Sequence, residues 1–230
     1  MYLWWYHFTG LFYPNLCLAC NKNLPPGQEI LCITCQFKLP KTNFHQEKEN
    51  AFTERFWGRV PLHAGAALYY FSKGGRTQQL VHALKYEGKK QVGSKLGHIY
   101  GQQLKETPLF HDVNLILPVP LHPQKERQRG YNQSALFAEG LSQSMQIPWS
   151  GKHLLRTAYT QTQTQKTRME RFANVEQAFQ VPRPADLEGK HLLLVDDVMT
   201  TGATLEACAL RLLEVPSVRL SMATIAIANL

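Results

Sequence analysis

The chain has 230 residues, of which 44% are hydrophobic and 18% are charged, and its formal net charge is +8. This length and hydrophobic content favour one domain with a small appendage over two full domains. The basic balance favours anionic partners, such as phosphates, nucleic acid or a membrane surface, without choosing among them.

The chain begins with an aromatic stretch, MYLWWYHFTGLFYPNL, which lacks the positive leading region and small-residue cleavage site of a signal peptide. No stretch reaches the roughly 18 consecutive apolar residues of a membrane-spanning helix. We therefore expect a cytoplasmic protein without a membrane span, whose opening aromatic residues pack as a helix rather than anchor the chain to a membrane.

Four of the five cysteines form two C-x-x-C motifs, Cys17 with Cys20 and Cys32 with Cys35. In a reducing compartment this spacing favours a metal site over disulfides, because each motif turns two thiolates toward one point. Four thiolates form a closed tetrahedron around zinc with no position for water, so the predicted role is structural. An iron site or a pair of reactive thiols is the alternative, and Cys208 is expected to be a small buried hydrophobic residue.

A mixed polar stretch without clear periodicity follows the cysteines, and we expect it to join two parts of the chain. The zinc-binding module is placed at residues 1–50 and the main domain at residues 51–230. In the main domain, strands are predicted at 64–71, 113–120, 190–198 and 218–228. Helices are predicted at 77–105, with an interruption near Gly88, and at 132–145 and 203–215. This alternation predicts an α/β fold with a parallel sheet flanked by helices on both faces.

The third of these strands ends in an unusual way, in LLLVDDVMTTGAT, where two adjacent aspartates, Asp196 and Asp197, follow an apolar run. Ligands of open α/β sheets bind beyond the carboxyl ends of the strands. Gly202 lets the backbone approach a ligand, and the first N–H groups of the next helix, with the threonine hydroxyls, form a cradle for one phosphate. The carboxylates need donors, either sugar hydroxyls or a magnesium ion carried with the ligand. A sugar phosphate satisfies both requirements, whereas an acidic helix cap explains only one aspartate.

The apolar run, D-D and T-T-G-x-T resemble the phosphoribosyl-diphosphate signature of type I phosphoribosyltransferases. Four further features narrow the resemblance to the ComF competence family, also called ComFC or GntX-like. They are the four-cysteine start, LKYEGKK at 84–90, PVPLHPQKERQRGYNQS at 118–134, and Arg156 with TQKTRMERFANV at 164–175. The resemblance covers almost the whole chain. It implies a phosphoribosyltransferase-like fold with an N-terminal four-cysteine zinc module.

The resemblance also implies a role for each matching residue. Asp196 and Asp197 would hold the ribose 2′ and 3′ hydroxyls and, with Arg168 in a flexible hood, would be catalytic. The 5′-phosphate would be held by Thr200, Thr201, Gly202, Ala203 and Thr204. The turn after Pro120 would be the diphosphate loop, and magnesium would accompany the diphosphate. The remaining ligand-binding residues would be Lys85, Arg127, Arg129, Tyr131 and Asn132.

Three basic clusters suit a diphosphate, because its charges need neutralising cations. They are Lys85, Lys89 and Lys90; Lys125, Arg127 and Arg129; and Lys166, Arg168 and Arg171. Each cluster alone is also typical of a solvated protein face. Aromatic residues near the C-x-x-C motifs could provide a stacking surface for single strands or the core of a small domain: Trp4, Trp5, Tyr6, Phe37 and Phe44.

Two functions are therefore open. In the first, a phosphoribosyltransferase-like ComF protein binds phosphoribosyl diphosphate with Mg²⁺ and acts in DNA uptake during natural transformation. Its partners would be single-stranded DNA and competence-machinery proteins, such as a helicase or a single-strand-handling factor. The alternative is an active phosphoribosyltransferase, a glycosyltransferase, that acts on an unidentified nitrogenous acceptor by positioning and charge stabilisation under a closing hood.

Overall fold

A parallel four-stranded sheet forms the centre of the protein, in a computed structural model that describes residues 15–157 and 178–228. Its strands are β1 (Ala64–Phe71), β2 (Leu115–Pro118), β5 (His191–Met199) and β6 (Arg219–Ala228), in the order β1-β6-β5-β2. The short strands β3 (Leu155–Arg156) and β4 (Phe179–Gln180) pair antiparallel in a second sheet. The predicted parallel α/β sheet is confirmed. The strand predicted at 113–120 is shorter, because its pairing with β5 as a strand ends at Pro118.

Helices cover both faces of the sheet. They are α1 (Ile33–Lys38), α2 (Arg76–Tyr86), α3 (Gln91–Lys105), α4 (Pro123–Arg129), α5 (Gln133–Met145) and α6 (Ala203–Leu213). Leu84, Leu96 and Phe137, from α2, α3 and α5, share a buried cluster with Val195 of β5. Leu205 of α6 packs with Leu194 on the opposite face. Alternate residues of β5 therefore enter different cores, as the geometry of a strand requires.

Helix α4 occupies part of the segment that the sequence analysis treats as a loop. Pro123 stands at its first position, and the His122 side chain accepts a hydrogen bond from the Gln124 N–H at 3.2 Å. Gly130 ends the helix with φ of 79°. Proline at the start and glycine just past the end are the usual boundary residues of a helix. The segment thus carries its own helix signals.

The closest helix pair is α3 with α5, which meet at glycines. A Cβ on Gly97 would lie 2.3 Å from the Phe137 carbonyl oxygen, and one on Gly140 would lie 2.0 Å from the Ser94 carbonyl oxygen. Only residues without a side chain allow backbones to approach this closely. The pair forms a firm support for the amino end of α5, which faces the carboxyl end of β5 through the hydrogen bond from Ser134 to Asp196.

The four-cysteine segment packs on the same core as the sheet. Cys17, Cys35 and Leu39 are buried in one cluster with Tyr69 and Tyr100. Residues 40–42 cover the free edge of β1 with backbone hydrogen bonds at 2.8 and 3.2 Å. The segment between the cysteines and β1 thus joins the two parts closely, and a division of the chain at residue 50 stays a prediction.

A polar network lies at the amino end of the sheet, opposite the aspartate pair. The His191 ring bonds to Asp112 at 2.7 Å and to the Ser221 hydroxyl at 2.8 Å. Burial lowers the pKa of His191 to about 4. Ser221 is 0% exposed, so this Asp–His–Ser arrangement cannot present a nucleophile to a substrate and instead satisfies buried polar groups.

Some predictions fall outside the described residues. The predicted hood, with Lys166, Arg168 and Arg171, and the aromatic residues Trp4, Trp5 and Tyr6 lie there. In residues 15–157 and 178–228, no helix is long and apolar enough to cross a membrane.

Candidate functional site

Two carboxylates stand at the carboxyl end of β5, each with its own donor. The Ser134 hydroxyl, at the amino end of α5, donates to Asp196 Oδ1 at 2.7 Å, and the Asp197 N–H donates to the same oxygen at 2.8 Å. Lys85 Nζ, near the carboxyl end of α2, lies 2.9 Å from Asp197 Oδ1. The structure thus brings Lys85 to the aspartate pair, as the predicted site requires, and adds Ser134 to it.

The Asp196 carboxyl is unusually hard to ionise. Burial, followed by the negative charge of Asp197, raises the pKa of Asp196 to about 7, although the Ser134 hydroxyl and the Asp197 N–H oppose the rise. Lys85 supplies the counter-charge for Asp197. The site therefore holds one carboxylate paired with a cation and a second that is close to neutralisation at physiological pH. Hydroxyl donors, such as those of a sugar diol, suit such acceptors.

The loop after β5 leads directly into α6, and we call residues 199–204 the phosphate loop. Gly202 adopts φ of 83°, and a Cβ there would lie 3.1 Å from the Phe56 ring. Thr201 Oγ1 accepts a hydrogen bond from the Ala203 N–H at 3.4 Å, while Thr200 and Thr201 are exposed. Because α6 begins here without a capping side chain from Gly202, its amino end can offer N–H groups and a positive dipole to an anion.

The turn before α5 places Tyr131 and Asn132 in supporting positions. The Tyr131 hydroxyl donates to the Leu84 carbonyl oxygen, one residue before Lys85. Asn132 Nδ2 donates to the Val119 carbonyl oxygen at 3.0 Å, and Asn132 Oδ1 caps α5 by accepting the Ser134 N–H at 3.0 Å. These bonds connect the two sequence segments 84–90 and 118–134 around the acidic pair.

Cations and aromatic rings alternate beside this turn, in what we call the Tyr86 surface: Tyr86, Lys90, Arg129 and Tyr131. The Arg129 guanidinium lies 5.4 Å from the Tyr86 ring centre, and Lys90 Nζ lies 5.2 Å from the Tyr131 ring centre. Tyr86 is 66% exposed. Arg129 Nη1 also donates to Gln133 Oε1 at 2.9 Å, whereas Arg127 lies on the exposed face of α4.

The four cysteines of the two C-x-x-C motifs converge, as their spacing predicts. Their sulfur atoms all lie within 4.8 Å of one another, and Cys20 Sγ and Cys32 Sγ are 3.8 Å apart. Zn–S bonds of about 2.3 Å place tetrahedral sulfurs about 3.8 Å apart, so the cluster is compatible with zinc. Burial opposes ionisation of the Cys17 thiol, but hydrogen bonds, first from the Cys32 N–H, outweigh it and lower its pKa to about 7. Cys208 is buried in α6, as expected.

The residues that support the phosphate loop from outside the motif were not predicted from the sequence. Arg55 donates to the Thr200 carbonyl oxygen, and Arg59 pairs with Glu206 on α6. About 145 residues separate the members of each pair, and no local pattern signals such contacts. Ser134 lies at the end of the 118–134 segment that carries the family resemblance, so the sequence marks it as a candidate. Its hydrogen bond to Asp196 depends on the tertiary fold.

The raised pKa of Asp196 has a consequence for stability. A carboxyl group whose pKa is raised by folding destabilises the folded state as the pH rises from the unfolded value of 3.8 to about 7. Asp196→Asn keeps an oxygen acceptor and removes the charge. We expect it to increase the free energy of unfolding by about 1–3 kcal/mol at pH 8, and by much less near pH 4.

Urea unfolding at both pH values measures this gain, and the exposed Glu188→Gln is the control that should change little. His191, whose pKa is lowered, changes stability in the opposite sense, so only the difference from wild type isolates Asp196. A variant that is equally or less stable at pH 8 would contradict the account of the carboxylate as a buried charge.

Comparison with known proteins agrees with this geometry. Residues 132–228, which include α5, the acidic pair and the phosphate loop, match the phosphoribosyl transferase domain. Competence protein ComFC of Bacillus subtilis is 35% identical over 232 aligned residues, covering 89% of this chain and 91% of that protein. DNA utilization protein YhgH of Escherichia coli K12 is 28% identical over 87% of this chain and 91% of its own length. Competence protein F of Haemophilus influenzae is 24% identical, with 84% and 89% covered.

The matches to these relatives extend over 84–89% of this chain, well beyond the residues that match the phosphoribosyl transferase domain. The resemblance inferred from the motifs is therefore confirmed. The match to ComFC, at 35% identity over most of both chains, shows that this chain belongs to the ComF family of phosphoribosyltransferase-like proteins.

Proposed function

We propose that the protein binds the 5-phosphoribosyl group of phosphoribosyl diphosphate, with Mg²⁺, between the acidic pair and the phosphate loop. The observation that carries this proposal is the continuity of the two sites. Asp196 and Asp197 lie near the end of β5 at Met199, and only Val198 and Met199 separate them from the exposed hydroxyls of Thr200 and Thr201. One ligand that carries a cis-diol and a phosphate satisfies both sites together.

Each group then has a definite task. The acidic pair accepts hydrogen bonds from the 2′ and 3′ hydroxyls, and the amino end of α6 with Thr200, Thr201, Gly202, Ala203 and Thr204 holds the 5′-phosphate. Lys85, already 2.9 Å from Asp197, supplies the counter-charge for that carboxylate. Arg127 and Arg129, on α4, would supply the cations for a diphosphate. Mg²⁺ neutralises charge on the diphosphate, and carboxylate oxygens of the kind offered by the acidic pair are among its usual ligands.

Calorimetric titration with phosphoribosyl diphosphate and Mg²⁺ tests this site. We expect wild type to bind and Asp196→Asn/Asp197→Asn to lose at least about tenfold in affinity, because hydrogen bonds from a diol to neutral amide oxygens are weaker than those to carboxylates. The matched control removes two exposed acids on another face, Asp186→Asn/Glu188→Gln. Absence of binding by folded wild type would overturn the proposal. Protein-dependent release of diphosphate in the same mixture would show that the C1–diphosphate bond breaks with water as the acceptor, and would favour the alternative, a phosphoribosyltransferase whose natural acceptor is absent.

We further propose that the protein acts in the cytoplasm on incoming DNA during natural transformation, together with single-strand-handling or helicase proteins of the competence machinery. The printed names of its relatives concern competence and DNA utilization. The net charge of +8 favours a polyanion. The Tyr86 surface offers an exposed ring beside cations, which is the combination that binds single strands by stacking and phosphate contacts.

Single-stranded DNA would bind this outer surface rather than the acidic pair. Deoxyribose lacks the 2′ hydroxyl, so it leaves one of the acceptors that await a diol without a donor. The two described aromatic residues near the cysteines, Phe37 and Phe44, differ in whether they could stack on DNA. Phe44 packs edge-on against Tyr70, with ring centres 5.6 Å apart, as a core residue would. Phe37 is 80% exposed.

Fluorescence anisotropy with a labelled oligothymidine distinguishes the two surfaces. We expect Tyr86→Ala and Arg129→Met each to weaken binding about 5- to 50-fold, because each removes a stacking or phosphate contact. The matched comparison is Phe37→Ala, which should bind within about twofold of wild type. Saturating phosphoribosyl diphosphate should weaken DNA binding no more than Arg129→Met does, because Arg129 is the residue that both proposed sites share. Loss of binding in Phe37→Ala alone would move the DNA site to the four-cysteine segment.

We also propose that Cys17, Cys20, Cys32 and Cys35 hold one structural Zn²⁺. The sulfur separations fit a tetrahedral thiolate site, and both Cys17 and Cys35 are buried with residues of the main core. Zinc held by four thiolates supplies cross-linking of the chain and leaves no open position for chemistry. The cysteines would thereby fix the segment that covers the edge of β1.

Metal analysis of purified protein tests this assignment. We expect one zinc per chain in wild type, and loss of the metal with a lower unfolding temperature in Cys17→Ser, because the site requires all four thiolates. Cys208→Ser changes a buried cysteine outside the cluster and should retain the metal. A coloured protein that contains iron in place of zinc would select the alternative metal, and full thermal stability of metal-free Cys17→Ser would contradict the structural role.

A further inference from the structure

A short segment before β1 clamps the phosphate loop from outside, and we call it the 53–59 segment. Arg55 donates to the Thr200 carbonyl oxygen and, at 2.5 Å, to the Ala228 carbonyl oxygen at the end of β6. The Phe56 ring closes the space beside Gly202. Arg59, four residues beyond Arg55, reaches Glu206 on α6. Arg55, Phe56 and Arg59 therefore lie against three successive parts of the loop and helix. These are Thr200, Gly202 and Glu206.

Glu206 places a buried acidic side chain next to the proposed anion site. It lies in the first turn of α6, its N–H bonds to the Gly202 carbonyl oxygen at 2.9 Å, and its side chain is 3% exposed. A helix offers only about half a positive charge at its amino end. A full negative charge buried one turn away opposes a phosphate bound there, and burial weakens the screening by water and salt.

Arg59 removes that conflict. Its guanidinium pairs with the Glu206 carboxylate and remains 45% exposed, while Glu206 is covered. The pair is electrically neutral, so the dipole of α6 acts on the anion without an opposing charge. The pair also fastens the 53–59 segment to the helix that carries the phosphate loop.

We propose that Arg59 is a positioning residue of the phosphate site, whose charge compensates Glu206 and so allows the amino end of α6 to bind the ligand phosphate. The inference rests on the proposed phosphoribosyl site. It adds a requirement from outside the motif: the binding loop depends on a cation supplied by a segment that precedes the sheet.

A charge cycle tests this role with ribose 5-phosphate as the probe, in titrations of Arg59→Met, Glu206→Gln and the double variant. We expect Arg59→Met to weaken binding at least about tenfold, Glu206→Gln to bind as tightly as wild type or more so, and the double variant to return to within about threefold. The rescue in the double variant is the distinguishing result, because a contact that acted only by holding the fold together would not recover when both partners are removed.

The matched control lies at the other end of the same helix, where Arg211 Nη1 and Glu214 Oε1 are 2.7 Å apart. Arg211→Met, Glu214→Gln and their double variant should bind ribose 5-phosphate within about twofold of wild type, since the dipole effect falls off within one turn. Circular dichroism and thermal unfolding establish that each variant is folded.

The outcomes separate two failures. A double variant as weak as Arg59→Met, or Glu206→Gln weaker than wild type by about tenfold, overturns the charge role of Arg59 and leaves the phosphoribosyl site standing. If Arg59→Met fails to fold, Glu206→Gln alone still decides the question. No binding of ribose 5-phosphate or of phosphoribosyl diphosphate by wild type overturns the proposed site and this inference together.

Discussion

The placing of two adjacent carboxylates, Asp196 half-buried and Asp197 buried, near the end of β5 is the constraint around which the surrounding elements are arranged. Like charges on neighbouring residues repel, and withdrawal from water makes each charge costlier. Two neighbouring helices compensate these charges. Lys85 Nζ of α2 lies 2.9 Å from Asp197 Oδ1, and the Ser134 hydroxyl of α5 donates to Asp196 Oδ1 at 2.7 Å. The rise of the Asp196 pKa to about 7 shows that compensation is incomplete. A carboxyl group with a pKa perturbed in this way is typical of functional sites.

The supporting elements explain why distant parts of the chain meet here. Glycines at 97 and 140 let α3 and α5 touch backbone to backbone, which supports the amino end of α5. The Tyr131 hydroxyl bonds to the carbonyl beside Lys85, and so links the turn before α5 to the end of α2. From the other side, Arg55 and Arg59 hold the phosphate loop and α6. The segment that carries these arginines lies between the four-cysteine segment and β1, so a part of the chain that precedes the sheet contributes to the site.

The sequence predicted what local patterns encode. Apolar runs gave the four parallel strands, and C-x-x-C spacing predicted that the cysteine sulfurs converge, which they do. The strand of 64–71 agrees with the structure at both ends. Contacts between residues about 145 positions apart, such as Arg59 with Glu206, have no local signature and depend on tertiary packing. The helix after Pro120 has a proline at its first position and a glycine just past its end, which are local signals, whereas the family resemblance implied a diphosphate loop there.

We propose that the acidic pair recognises a ribose diol while the phosphate loop binds its phosphate. The most direct measurement compares the affinities of ribose 5-phosphate and 2-deoxyribose 5-phosphate for the wild-type protein. The two ligands share the phosphate and differ in one hydroxyl. We expect the deoxy ligand to bind at least about tenfold more weakly, because it leaves a buried carboxylate oxygen without its donor. Equal affinities would contradict the account, since the phosphate alone would then explain binding and the acidic pair would have another purpose.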